Sequence, residues 1–167
     1  MKSNYIVRAQ KFMETFYPYM RKYHIGEAVL HFNEDKHRAV QCRQGAVRRV
    51  LITSDYVIKW DYDKRNSKTF GGCREEYKKY QKVKDDYYGY LFAEITPIKV
   101  RNRTFYVMPR VKSLGVDSGE WIDEVLNEDE FGYVKSVGVG DIHDENWGYL
   151  HGRPVLIDYA CGNFAAS

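Results

Sequence analysis

The stretch from Arg38 to Tyr62 constrains this chain more than any other. It reads RAVQC, RQG, AVRRVLIT, SD, YVIKWDY. Three runs rich in β-branched and aromatic residues are separated by turn signals at Gly45 and at Ser54-Asp55. Connections that short join antiparallel neighbours, so a three-stranded meander is predicted. Lys59 sits inside the third run. A period of two places Val57 and Lys59 on one strand face and Ile58 and Trp60 on the other. A lysine in such a setting needs an anionic partner.

Helical spacing flanks the meander. Ile6, Ala9, Phe12, Phe16, Met20 and Tyr23 recur at three- and four-residue steps, predicting a core-packed helix over residues 4–23. Pro18 is expected to bend or end it. A polar loop, KRNSKTFGG, covers 64–72. Residues 73–84 then read as a helix with Tyr77, Tyr80 and Val83 on one side. Glu76 precedes Tyr80 by four and Val83 by seven, so it shares their packed face, with Glu75 as the alternate. Two further strands, AEITPIKV and TFYVMPRV, are joined by the basic turn RNR.

The last third changes character. Residues 1–111 carry 23 Lys and Arg against 12 Asp and Glu, a balance of +11, whereas 112–167 carry 3 against 11, a balance of −8. The 167 residues amount to one compact domain, with a subdomain boundary expected near Val111–Lys112, separating 1–111 from 112–167. A short helix is expected inside SGEWIDEVLNEDE. VGVGDIHDENWGYL and RPVLIDYA then read as two strands flanking a turn at His151-Gly152.

Composition excludes several classes. An apolar fraction of 44% argues against disorder, and no run approaches the roughly 20 apolar residues of a membrane span. The opening MKSNYIVRAQKF lacks a signal peptide's apolar core, so a cytoplasmic setting is expected, with no membrane partner. Cys42, Cys73 and Cys161 have no CxxC spacing and read as ordinary thiols rather than a zinc site or disulfide framework. The basic residues spread over several elements instead of forming one stripe, which argues against nucleic acid. The 15 tyrosines suit an aromatic core and a sticky interface equally.

Chemistry concentrates near the end. Asp141, His143, Asp144, Asn146 and Asp158 lie close in sequence, and Asp158 ends the apolar run Val155-Leu156-Ile157. Asp and Asn supply the hard oxygen ligands that suit Mg²⁺, while zinc would want more His or Cys. Asp144 and Glu145 read as solvated turn residues. Asn146 follows Asp141 by five positions, the spacing of a phosphoryl-transfer loop in which the Asp handles the acceptor's proton and the Asn holds metal. That template also needs an upstream Lys–Glu pair, filled by Lys59 and Glu76. A metal-dependent phosphoesterase built on the acids alone would leave both unexplained.

These segments resemble the protein-kinase-like superfamily. VIKW is similar to its third-strand lysine segment, REEY to its glutamate-bearing helix, and FYVMPRV to its fifth strand and hinge. GDIHDEN resembles its catalytic loop and VLIDYA its metal-binding strand. The Asp-x-His-x-x-Asn form is similar to that of small kinase-like proteins of phages and bacteria. The resemblance implies an α+β fold: an antiparallel-sheet N-lobe with a helix, and a strongly reduced C-lobe. It implies ATP and Mg²⁺ as cofactors, Asp141 and His143 as catalytic, and Asn146 and Asp158 as metal ligands. Lys59, Glu76, Gly45 and Met108 are implied at the nucleotide.

Departures accompany the match. Val139 stands where His is usual, and Gln44-Gly45-Ala46 has a single glycine where a Gly-rich loop would cover phosphate. Tyr159-Ala160 follows Asp158, and nine residues follow that Asp. Two functions are therefore expected. The first is a phosphotransferase acting on a protein or small-molecule hydroxyl. The second is a kinase-like binding module or pseudokinase, such as a phage factor holding a host protein in the host cytoplasm. The reduced C-lobe leaves room for a homodimer. The charge division matches a basic nucleotide-holding part and an acidic metal-holding part.

Overall fold

The computed structural model describes residues 3–45, 47–62, 71–115, 119–140 and 142–159. Ala46, most of the polar loop 64–72, Asp141, Ala160 and Cys161 lie outside the described residues. The fold is mixed α+β with antiparallel sheets. The chain divides into two compact units, Met1–Lys64 with Thr96–Arg110, and Arg65–Ile95 with Val111–Ser167. One division falls beside the expected Val111–Lys112 boundary. Residues 65–95, with their helix, group with the acidic part.

The first unit is a five-stranded antiparallel sheet carrying two helices. The predicted meander forms as β1 (Gln41–Gln44), β2 (Arg48–Ile52) and β3 (Tyr56–Asp61). β1 starts later than RAVQC suggested and takes in part of the presumed turn. β4 (Thr96–Val100) and β5 (Arg103–Pro109) form a hairpin about Arg101-Asn102, where Arg101 is left-handed at φ 54°. β5 inserts beside β3, giving the order β1-β2-β3-β5-β4.

The long helix α1 (Asn4–Lys22) and α2 (Ile25–Lys36) cover one sheet face. Ile6, Ala9, Met13 and Phe16 are buried along α1, as its period requires. Pro18 does not end the helix. Its ring removes the N–H that Glu14's carbonyl would accept, but both residues are exposed and water can serve that oxygen. α2 has no counterpart in the sequence reading. Against these helices the sheet presents Leu51, Tyr56, Ile58, Trp60, Phe105 and Val107. Much of the aromatic content is spent here: Phe16 and Phe32 meet edge-to-face at 5.3 Å, and Trp60 and Phe105 at 5.6 Å. Each such ring contributes about 1.5–3 kcal/mol by burial.

The second unit contains α3 (Cys73–Val83), β6 (Lys112–Ser113), α4 (Ile122–Val125), α5 (Glu128–Ser136), β7 (Trp147–Leu150) and β8 (Arg153–Leu156). Strands β6-β7-β8 form an antiparallel sheet. The buried line of α3 runs through Cys73, Glu76, Lys79 and Val83, with Tyr77 only half-buried, so its packed face is rotated from the expected tyrosine side. The acidic stretch holds two short helices. The second opens on a capping box in which the Asn127 side chain accepts from Glu130 N and Glu130 accepts from Asn127 N.

Strand β7 is shorter than expected. Val137 to Gly140 form the end of α5 and a turn, with Gly138 at φ 81°. The turn at His151-Gly152 forms as predicted, with both φ positive at 52° and 76°. That is the twist-matched turn of a two-residue hairpin. Among the described residues, no helix is long and apolar enough to cross a membrane.

Candidate functional site

Each unit carries part of the predicted constellation. In the first, Lys59 sits on β3 opposite Val50 of β2 and Tyr106 of β5. Cross-strand partners share a face, so Val50, Val57, Tyr106 and Met108 stand with Lys59, away from the face covered by α1 and α2. Lys59 is 7% exposed. A cation held that far from water requires polar compensation, which singles it out from the other sheet lysine, the exposed Lys99 of β4.

Met108 pairs with Val57 and is fully buried. It lies one residue beyond the last pair that β4 makes with β5, Thr96 with Val107. Gly45 closes the β1–β2 turn. Its N–H donates to Arg48 O at 2.9 Å and its carbonyl accepts from the Tyr62 hydroxyl at 2.9 Å. A side chain added there would meet only Arg48 O, at 3.8 Å, an ordinary contact. Nothing local therefore demands glycine. Gly45→Ala is expected to leave stability within about 0.5 kcal/mol of the parent, as denaturant melts would show; a larger loss would mean that the turn needs glycine after all.

In the second unit Glu76, Asn146 and Asp158 converge through the main chain. The β7–β8 register pairs Trp147 with Leu156. One step outward, Ile157 N–H donates to Asn146 O at 2.7 Å, which sets Asn146 beside the strand end that carries Asp158. Next along, Tyr159 N–H donates to Glu76 Oε1 at 3.1 Å. Glu76 is fully buried, whereas Glu75 is partly exposed and pairs with Lys78 at 2.8 Å. Helical phase explains the difference, because Glu76 follows Cys73 by three on the packed line. The Tyr159 ring is buried and its hydroxyl donates to Ala93 O at 2.9 Å. Burial first, then Glu76, Tyr80 and Asp158, pushes its phenol well above the ordinary value.

His143 is exposed and immediately precedes the 3₁₀ turn Asp144–Asn146. Its carbonyl accepts from Asn146 N at 3.0 Å. Asp144 is not a solvated turn residue: it is half-buried, and Oδ1 accepts the Ile122 N–H at 2.7 Å, capping α4. Only a contact across 22 positions reveals that role, so no local pattern announces it. Among the described residues, no three or more His, Cys, Asp or Glu side chains cluster to hold a metal. Asparagine is outside that count, and Asp141 outside the described residues. The oxygen donors of Asn146 and Asp158 suit a hard divalent cation such as Mg²⁺.

No family model, curated protein or solved structure matches the chain.

Proposed function

We propose that the chain is a small kinase-like phosphotransferase that uses ATP and Mg²⁺ to move the γ-phosphate to a hydroxyl. The observation that carries this reading is the register of the β7–β8 hairpin. It sets Asn146 opposite Ile157, the residue before Asp158, and Glu76 takes the N–H of Tyr159, the residue after it. An Asn and a strand-end Asp are the oxygen donors that the phosphoryl-transfer template requires. The first unit supports the same reading: Lys59 and Met108 fall on the third and fifth strands of an antiparallel sheet, the positions the resemblance implies. Glu76 stands on the helix between the third and fourth strands.

In this scheme Lys59 holds the α- and β-phosphates, while Met108 marks the adenine edge. Asn146 and Asp158 would hold Mg²⁺, which when bound offsets charge on the phosphates. Asp141 accepts the proton of the attacking hydroxyl, and His143 orients that loop. The resemblance implies Glu76 as the partner of Lys59.

Nucleotide binding tests the reading directly. ATP with Mg²⁺ at about 100 times its Kd stabilises the native state by about 2.7 kcal/mol. That corresponds to a rise of about 5 °C or more in melting temperature for a chain of this size. Lys59→Ala should lose most of the rise. No shift of the parent protein with any nucleotide or metal would overturn the reading and favour a binding module. The undemanding Gly45 turn suits that second function.

A further inference from the structure

The first unit holds a cavity of about 760 Å³ on the helix-covered side of its sheet, away from the Lys59 face. Its exposed lining is cationic: Arg8 and Lys11 come from α1, Lys36 from the end of α2, and Arg38 from the segment after it. Asp55 neutralises Arg8 through a 2.8 Å ion pair. Among the described residues, Lys11, Lys36 and Arg38 make no ion pair. The deeper lining is aromatic. Phe32 and Tyr56 are buried, Phe12 is half-buried, and Phe12 meets both edge-to-face, at 5.3 and 6.2 Å.

The walls are held in place before any ligand arrives. His37 ends α2 in the left-handed conformation at φ 50°, turning the chain sharply. The Asn33 side chain then clamps Val40 twice, donating to its carbonyl at 2.8 Å and accepting from its N–H at 3.0 Å. Opposite, the Thr53 hydroxyl donates to Tyr56 O at 2.8 Å, and Arg110 Nη1 donates to Thr53 O at 2.8 Å. Fixed walls reduce the ordering cost of binding.

We propose that this cavity binds a phosphate monoester whose alcohol part carries an aromatic ring. A phosphate dianion answers three cations that have no acidic partner, with charge-assisted bonds from lysine and arginine. The ring answers half-buried Phe12, which the buried rings of Phe32 and Tyr56 hold edge-on from behind. The volume lies within the range of small-molecule sites. This assignment stands independently of the phosphotransferase reading, because Lys59 faces the other side of the sheet.

Calorimetric titration of the full chain with phenyl phosphate, inorganic phosphate and phenol, at about 150 mM salt to screen diffuse attraction, tests it. Phenyl phosphate is expected to bind saturably with Kd below about 1 mM, and at least about tenfold more tightly than either fragment. Lys36→Ala/Arg38→Ala changes two exposed side chains and should weaken that binding at least about tenfold. The same variant should keep the melting shift with ATP and Mg²⁺ if the parent shows one. O-phosphotyrosine and adenosine 5′-monophosphate separate two sources of the same chemistry, and binding of either that the double variant weakens supports the site. No saturation by phenyl phosphate below about 10 mM, equal affinity for inorganic phosphate, or undiminished binding in the folded double variant would overturn the proposal.

Discussion

Gly89→Ala is expected to destabilise the second unit by about 3 kcal/mol or more. Gly89 opens a 3₁₀ turn after α3 and is buried. A Cβ at this position would run into the Val83 carbonyl oxygen and lie 2.9 Å from the Lys84 carbonyl oxygen. Both obstacles are backbone at the end of α3, so no rotamer change relieves the clash. Relief requires moving either α3 or the segment Leu91–Ala93, which is bonded to β8 through Ala93 N–H and Leu156 O. Gly132→Ala is the control. It lies within α5 with nothing inside 4 Å, and alanine's higher helix propensity should add about 0.5–1 kcal/mol. Urea melts of the two variants should move in opposite directions. A Gly89→Ala midpoint equal to the parent's would refute the crowding argument.

Asp141→Asn is the second large expected effect. If the proposed phosphotransfer occurs, loss of the base should reduce the rate at least about 10²-fold. The melting temperature should change little, because the substitution is nearly isosteric. Asp158→Asn should cut both the rate and the nucleotide-induced melting shift, since it weakens the metal donor set instead of the proton acceptor. Radiolabelled ATP hydrolysis or autophosphorylation, followed alongside melting curves, separates the two. An active Asp141→Asn enzyme would remove that residue from the chemistry.

What could be read from the sequence depended on the range of the interaction. Meander, hairpin turn and helix positions follow from local rules, and Ser54-Asp55 and His151-Gly152 form turns as their residue types predict. α2 shows where composition misleads: Ala28, Val29 and Phe32 have helical spacing, but Gly26 and the mixed polar flanks IGEAVLHFNEDK weaken the pattern. Asn127 and Glu130 spelled out a cap that can be recognised in retrospect. Within the candidate site, helical phase alone distinguished buried Glu76 from Glu75. The pairing of Ile157 with Asn146 follows from the two-residue turn at His151-Gly152, whereas the cap from Asp144 to Ile122 could not be foreseen, because it closes a loop of 22 positions. The cationic cavity escaped for the same reason, since its walls come from three separated segments.

The strand order bears on synthesis at the ribosome. β5 is the filler between β3 and β4, yet it is translated only after residues 65–95 have been made for the other unit. A nascent chain that has released β3 therefore carries an open pairing edge until Pro109 emerges. Closing such a long loop slows the step that seals it. During that interval α1 and α2 can already cover the hydrophobic face of β1–β3, while the apolar surface that later packs on Ile98, Val100, Phe105 and Val107 stays open beside the unpaired edge. A stalled chain ending shortly before Arg103 would present the β3 edge as a template to other chains, whereas in one extended past Pro109 β5 can cover that edge.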